Sequence, residues 1–179
     1  MKAVRQVGVG RVVRYLWTSL LASVLRRAWI SPVRVLLLRM YGADLGSNVV
    51  IQRVSLMNVD RAGFGALHIG DDCFIGDEVM LDLAAPITLE PQVTLAARAI
   101  VLTHLNVGYH DHPLQTAFPS QTSGVTVRRG SFVGAGATIL AGVTIGQGAF
   151  VAAGALVNRE VAAGEVVGGV PIRALSAAN

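Results

Sequence analysis

A chain of 179 residues with 53% hydrophobic content has the length of one domain, or one domain with an appendage, and ample apolar material for a core; its single cysteine, Cys73, excludes an internal disulfide and suits a reducing compartment. Aromatics are only 6%, which fits a thin core of Val, Ile, Leu and Ala. The net charge of +4 hides an asymmetry: residues 1–43 hold eight basic side chains and no acid, whereas the remainder holds seven arginines against eleven acids. The basic arm is apolar between its charges, with no interleaved polar and stacking residues, which argues against nucleic-acid binding.

In chain order, residues 10–29 place Val13, Leu16, Trp17, Leu20, Leu21, Val24 and Leu25 at helical spacing, bracketed by Arg11, Arg14, Arg26 and Arg27. The uninterrupted apolar run is shorter than the roughly 20 residues a membrane span needs. No small-residue cleavage site follows it before more arginines, so a signal peptide is not expected. Ser31 as N-cap and Pro32 at the first helical position predict a second helix to about Tyr41, ended by Gly42, with Val33, Leu36, Leu37 and Met40 as its apolar stripe. The second helix is expected to cap the domain that follows. For the first, two readings stay open: packing on a neighbouring subunit, or lying on an anionic membrane with its arginines toward the head groups.

From Leu45 a six-residue frame begins, through Ile51, Met57, Gly63, Ile69, Ile75, Leu81, Ile87, Val93, Ala99 and Leu105. Gly63, in DRAGFGAL, marks an irregular corner. Asp71, Asp72, Asp77 and Glu78 fall at turn positions and are expected to be solvated. The frame breaks after Leu105, because the 22 residues to Val127 are not a multiple of six. The segment of about 105–126 is therefore expected to leave the domain as a loop carrying Tyr109, His110 and His112, and long loops in compact domains are where function is sought.

The period is clearest from Val127 to Val157. Val127, Val133, Ile139, Ile145, Val151 and Val157 are six apart, and Gly130, Gly136, Gly142, Gly148 and Gly154 follow the first five at a fixed offset of three. No helix or hairpin meander has that period. It predicts a solenoid in which each hexad is one flat face, three hexads close one triangular coil, and stacked coils bury the aliphatic residues. From residue 158 the sequence leaves the repeat as an expected exposed tail.

The hexads V-G-A-G-A-T-I-L-A-G-V-T-I-G-Q-G-A-F-V-A-A-G-A, with G-G-V-P-I-R at Gly168 to Arg173, resemble the hexapeptide-repeat acyltransferases of the sugar O-acetyltransferase type. The resemblance implies an all-β fold, a left-handed parallel β-helix over residues 44–173 behind the helical arm of 1–43, assembled as a homotrimer. It also implies an acyl-CoA-dependent transfer, with acetyl-CoA as co-substrate and no metal, to a hydroxyl acceptor. The basic arm favours a saccharide acceptor of surface polysaccharide or glycoconjugate synthesis, in the cytoplasm or peripherally at the inner membrane face through residues 10–41. Small-molecule O-acetylation of serine, a free sugar or an antibiotic, and a non-catalytic membrane-tethered scaffold, remain as alternatives.

Among the histidines, His104 stands where the loop departs, and a histidine there can take a hydroxyl proton near neutral pH. His112, in H-D-H-P-L, is the alternative base and His110 a weaker one. His68, 36 residues before His104, is expected two coils away at the same corner and structural. Asp82, 22 residues before His104 and about one coil earlier, is the candidate to orient the base or bind the acceptor, with a solvated corner as the competing reading. The resemblance places Ala135 and Ala153 along the pantetheine arm, and Asn158, Arg159 and Arg173 near the nucleotide end. The histidine spacings do not match a three-histidine zinc site, and no cysteine cluster substitutes.

Overall fold

The structure, a computed structural model, describes residues 9–109 and 111–175; His110 lies outside the described residues. Two helices come first, α1 (Val9–Arg27) and α2 (Ser31–Met40). The solenoid opens with β1 (Asp44–Leu45), β2 (Val50–Ile51) and β3 (Val54–Met57), then the short α3 (Val59–Ala62) and a 3-10 turn at Phe64–Ala66. It continues through β4 (Leu67–Ile69), β5 (Phe74–Ile75), β6 (Val79–Asp82), β7 (Ile87–Leu89), β8 (Thr94–Leu95) and β9 (Ile100–Val101). A neck of β10 (His104–Leu105) and β11 (Gln121–Thr122) precedes β12 (Val125–Val127), β13 (Phe132–Val133), β14 (Thr138–Ile139), β15 (Thr144–Ile145), β16 (Phe150–Val151) and β17 (Leu156–Val157). The chain closes with β18 (Val166–Gly168) and β19 (Arg173–Ala174).

These strands build three faces of a parallel prism. Face A is β1-β4-β7-β12-β15, face C is β3-β6-β9-β14-β17, and face B runs from β2 through β5, β8, β13 and β16 to β18 and β19. Each face stacks one inward column: Leu45, Ile69, Leu89, Val127 and Ile145 on A; Ile51, Ile75, Leu95, Val133, Val151 and Val167 on B; Leu56, Leu81, Val101, Ile139 and Val157 on C. Most of these side chains are fully buried, and a strand of two residues hides its apolar surface only because the coils above and below supply the walls.

The columns correct the sequence frame in three places. Ile87, Val93 and Ala99 are buried, but as the residues two before the true column positions Leu89, Leu95 and Val101. Burial of both positions is why periodicity alone could not tell them apart. Met57 yields its place to Leu56, and Leu105, 48% exposed, stands on the neck of the loop. The expected tail continues the prism instead: Val161 bridges to Ile145, β18 pairs in parallel with β16, and β19 folds back antiparallel with Ile172 buried beneath it.

The turn acids are solvated as expected, with Asp71, Asp72 and Glu78 exposed and Asp77 partly so, and they also bridge coils. Asp71 accepts hydrogen bonds from the Ser47 backbone N–H and hydroxyl, Asp77 holds Arg53 at 2.6 Å, and Glu78 holds Arg98 at 2.7 Å, each joining one coil to the next.

The helices close the open end. α2 lies on β1 and β2 and buries Val35 and Leu38, while the Tyr41 ring meets Phe64 at 5.0 Å between centroids. Ser31 does not cap α2; it stands in the first turn and its hydroxyl accepts the Ile51 N–H at 2.8 Å, tying the helix to β2. α1 buries the small face Thr18, Ala22 and Leu25, so that Val13, Leu16, Trp17, Leu20 and Val24 point outward.

Gly134 and Gly136 show how tightly the coils stack. A Cβ on Gly134 would come within 2.5 Å of the Ala153 backbone nitrogen, whereas Gly136 has φ +67° and open space around it. Equivalent left-handed positions in earlier coils are held by Asp72, Glu78 and Arg98. Gly134→Ala is therefore expected to lower the melting temperature sharply, and Gly136→Asn to cost no more than about 1–2 kcal/mol in denaturant unfolding; equal losses would contradict this packing.

Candidate active site

From Ile69 onward every step from face A to B and from B to C, up to Val157, spans six residues. The corner from C to A behaves differently: eight residues separate Leu81 from Leu89, and 26 separate Val101 from Val127. Both departures fall at one edge of the prism, one coil apart. At that edge the extra backbone turns side chains back toward the corner where the regular repeat would simply continue.

Asp82 ends β6 at this corner and is completely buried. Its Oδ2 receives the Thr103 backbone N–H at 2.9 Å and the His104 Nδ1 at 2.5 Å. Its Oδ1 receives the Asn58 amide at 2.7 Å and the Ala84 N–H at 3.3 Å. The Thr103 hydroxyl donates to the Asp82 carbonyl at 2.6 Å and accepts the Ala85 N–H at 3.0 Å, locking the two added residues in place. Burial by itself would raise the Asp82 carboxyl, but the hydrogen bonds from His104, Thr103 and Asn58 outweigh it and hold the group below its ordinary value.

A carboxylate that accepts from Nδ1 requires the proton on that nitrogen, so the neutral imidazole carries its free lone pair on Nε2. The His104 side chain is 19% exposed, and Nε2 makes no hydrogen bond among the described residues. The arrangement presents a fixed imidazole on a rigid corner, at the root of the loop. Asn58, in left-handed conformation with φ 53°, and Thr103 are site residues the sequence reading missed. The only signal was that Asn tolerates that conformation, which does not reveal what its amide meets.

The remaining candidates lie elsewhere. His112 is exposed in the loop, where its Nδ1 accepts the Leu114 N–H at 3.2 Å, and it does not touch the Asp82–His104 pair. His68 is not at the His104 corner: it sits within β4, in register with Asp44 and Thr88, 3.4 Å from the Asp44 carboxylate. Its spacing misled because the early coils are longer than eighteen residues, as the registers Asp44–His68 and His68–Thr88 show.

Ala135 and Ala153 are exposed and stacked one coil apart, but at the corner between faces B and C, across face C from His104. A groove of about 520 Å³ runs there, lined by Ala97, Ala135 and Gly136 with Arg53, Asp77, Glu78 and Arg98. Asn158 follows β17 at the His104 corner, two coils further along. Arg159 is paired to Glu165 at 3.0 Å, and Arg173 is exposed on β19. A second cleft of about 460 Å³ separates α1 from the Asn58 corner, lined in part by Tyr15, Ser19, Ser23, Arg26, Asn58 and Asp60. Among the described residues no three His, Cys, Asp or Glu side chains are grouped to hold a metal ion, and no helix is long and apolar enough to cross a membrane.

Comparison with known proteins agrees with the coil. The bacterial transferase hexapeptide family of six repeats matches residues 124–159, and the hexapeptide repeat of succinyl-transferases matches residues 67–101. Both matches are to hexapeptide repeats of transferases, and they fall on the regular coils on either side of the loop. WcaF of Escherichia coli K12, named for acetyl transfer in colanic acid biosynthesis, is 29% identical over 145 residues, spanning 69% of this chain and 74% of its own. The hexapeptide-repeat acetyltransferase VCA0836 of Vibrio cholerae, also solved with acetyl coenzyme A, superposes with a TM-score of 0.79 at 24% identity over 94% of this chain and 93% of that one. A galactoside acetyltransferase in complex with coenzyme A gives 0.80 at 20% identity over 94% and 82%. The fold shared with these structures is the left-handed parallel β-helix.

Because the Asp82 carboxyl titrates below its ordinary value, it contributes stability that is present above the ordinary carboxylate pKa and lost as pH falls through the folded one. The stability gap between wild type and Asp82→Asn should therefore be widest near neutral pH and narrow as pH drops below about 4. Melting temperatures across that range check it, and a gap that widens in acid would contradict the assignment.

Proposed function

We propose that this chain is a hexapeptide-repeat acyltransferase that moves an acetyl group from acetyl-CoA to a saccharide hydroxyl in the synthesis of a surface polysaccharide or glycoconjugate, with His104 as general base. The observation that carries this is the buried Asp82 holding His104 Nδ1 at 2.5 Å at the root of the loop. Acetyl-CoA supplies an activated thioester. His104 Nε2 takes the proton of the acceptor hydroxyl as its oxygen attacks the acyl carbon, and the resulting imidazolium returns that proton to the departing sulfur. Asp82 stays ionised throughout and stabilises the imidazolium, as its depressed titration favours. The acceptor has room in the cleft between α1 and Asn58, where hydroxyl, amide, guanidinium and carboxylate groups and the Tyr15 ring suit a sugar.

The acyl donor fits the corner of Ala135 and Ala153, whose small side chains let a pantetheine arm lie against the backbone, with Arg173 toward the nucleotide and with Asn158 and Arg159, which stand at the His104 corner, reaching it from the adjacent subunit. Within one chain that corner and His104 stand at opposite edges of face C. A cyclic homotrimer that sets one subunit's alanine corner against the next subunit's histidine corner unites them. The outward row Val13, Leu16, Trp17, Leu20 and Val24, bracketed by arginines, supports peripheral contact with an anionic inner membrane surface.

His104→Ala should bind acetyl-CoA like wild type in calorimetry and lose transfer to saccharide acceptors by about 10²–10⁴-fold, whereas His112→Ala should stay near wild type. Loss confined to His112→Ala would move the base into the loop, and absence of acetyl-CoA binding to the wild type would leave only a scaffold.

The trimer has its own test. Mixed and reassembled His104→Ala and Ala135→Trp subunits, each inactive alone, should regain part of the transfer activity, since some junctions then combine an intact corner of each kind. No recovery in demonstrably mixed trimers would place both halves of the site within one chain.

A further inference from the structure

The arm contains a second polar cleft, which shares Arg26 with the proposed acceptor cleft but holds none of the Asp82–His104 machinery. It has a volume of about 430 Å³ and lies between the end of α1, the start of α2 and the turn after β2, lined by Arg26, Arg27, Ala28, Trp29, Arg34 and Arg53. Four guanidinium groups meet there and no acid is among its lining residues. Arg53 is committed to Asp77 by two hydrogen bonds of 2.9 and 2.6 Å. Arg26 and Arg27 are exposed and touch only Ser23, at 3.3 and 3.5 Å, with no carboxylate partner among the described residues.

Arg34 is the decisive residue, because it is 3% exposed. One of its terminal nitrogens donates to the Ile51 carbonyl at 3.1 Å and the other to the Trp29 carbonyl at 3.3 Å, yet its buried Nε has no acceptor. A buried charged donor without an acceptor is a group that native proteins rarely leave unmatched. The unspent donor at a cleft of cations calls for an anion with several acceptor oxygens.

We propose that this cleft binds a phosphate group. Guanidinium forks match phosphate oxygens in pairs, and the buried Arg34 stays put while the exposed Arg26 and Arg27 close over the ligand. Trp29, 93% exposed at the rim, offers a flat apolar surface to whatever carries the phosphate. Two sources share this chemistry: the head group of an anionic phospholipid, and a phosphate or diphosphate carried by a soluble molecule. The site is independent of the Asp82–His104 pair, so its failure would leave the transferase reading untouched.

The test uses the full chain and the exposed double variant Arg26→Gln/Arg27→Gln, whose melting temperature without ligand should match wild type. Inorganic pyrophosphate is titrated by calorimetry, and co-sedimentation is measured with phosphatidylcholine vesicles containing either phosphatidic acid or an equal charge of oleate. Saturable pyrophosphate binding that weakens at least about tenfold in the variant supports the site with a soluble phosphate as its source. Sedimentation that is stronger with phosphatidic acid than with oleate vesicles, the excess lost in the variant and without pyrophosphate binding, supports it with a lipid head group as its source. Binding that is absent from both arms, equal in wild type and variant, or indifferent to phosphate versus carboxylate overturns it.

Discussion

Every part of this molecule depends on the stacking of one aliphatic side chain on its equivalents in the coils before and after. A strand of two residues has no stability of its own, and a single coil encloses too little apolar surface to hold a shape. Columns such as Ile51–Ile75–Leu95–Val133–Val151–Val167 supply the missing walls, and they impose the six-residue step on the chain wherever nothing else intervenes. Close stacking also explains glycines such as Gly76, Gly134 and Gly146, where the next coil's backbone passes within reach of an added carbon.

That constraint makes departures from the step informative. The prism can absorb extra residues only at a corner, because an insertion within a face would move an inward column to the outside. Here the main insertions between the first columns and Val127 use the same corner, and the result is a line of polar groups from successive coils: Asn58, Asp82, then Thr103 and His104. The site is thus a by-product of where the solenoid is allowed to be irregular. Its rigidity is inherited from the regular faces on either side, which hold the Asp82 carboxylate in a fully enclosed position and leave only the histidine reaching outward.

The helical arm follows a different logic. α2 is part of the fold, since it covers the open end of the first coil, while α1 buries Thr18, Ala22 and Leu25 and leaves Leu16, Trp17 and Leu20 exposed. Exposed large apolar side chains grouped on one helix are the kind of surface that marks a contact site, which is what the proposed membrane contact rests on.

The sequence by itself determined the architecture, because a strict hexad of Val and Ile with glycine at fixed offset has one physical solution, and it located the departing loop and the pairing candidates Asp82 and His104. It could not determine the true phase of the frame after Leu81, since both Val93 and Leu95 are buried and periodicity sees them as equals. Nor could it place His68, whose distance from His104 in coils depends on insertions invisible to a fixed period. The contacts of Asn58 and Thr103 with Asp82, the separation of the alanine corner from the histidine corner, and the orientation of α1 were decided only by tertiary structure. Each depends on which residues from different coils or helices share an edge, and local pattern carries no information about that.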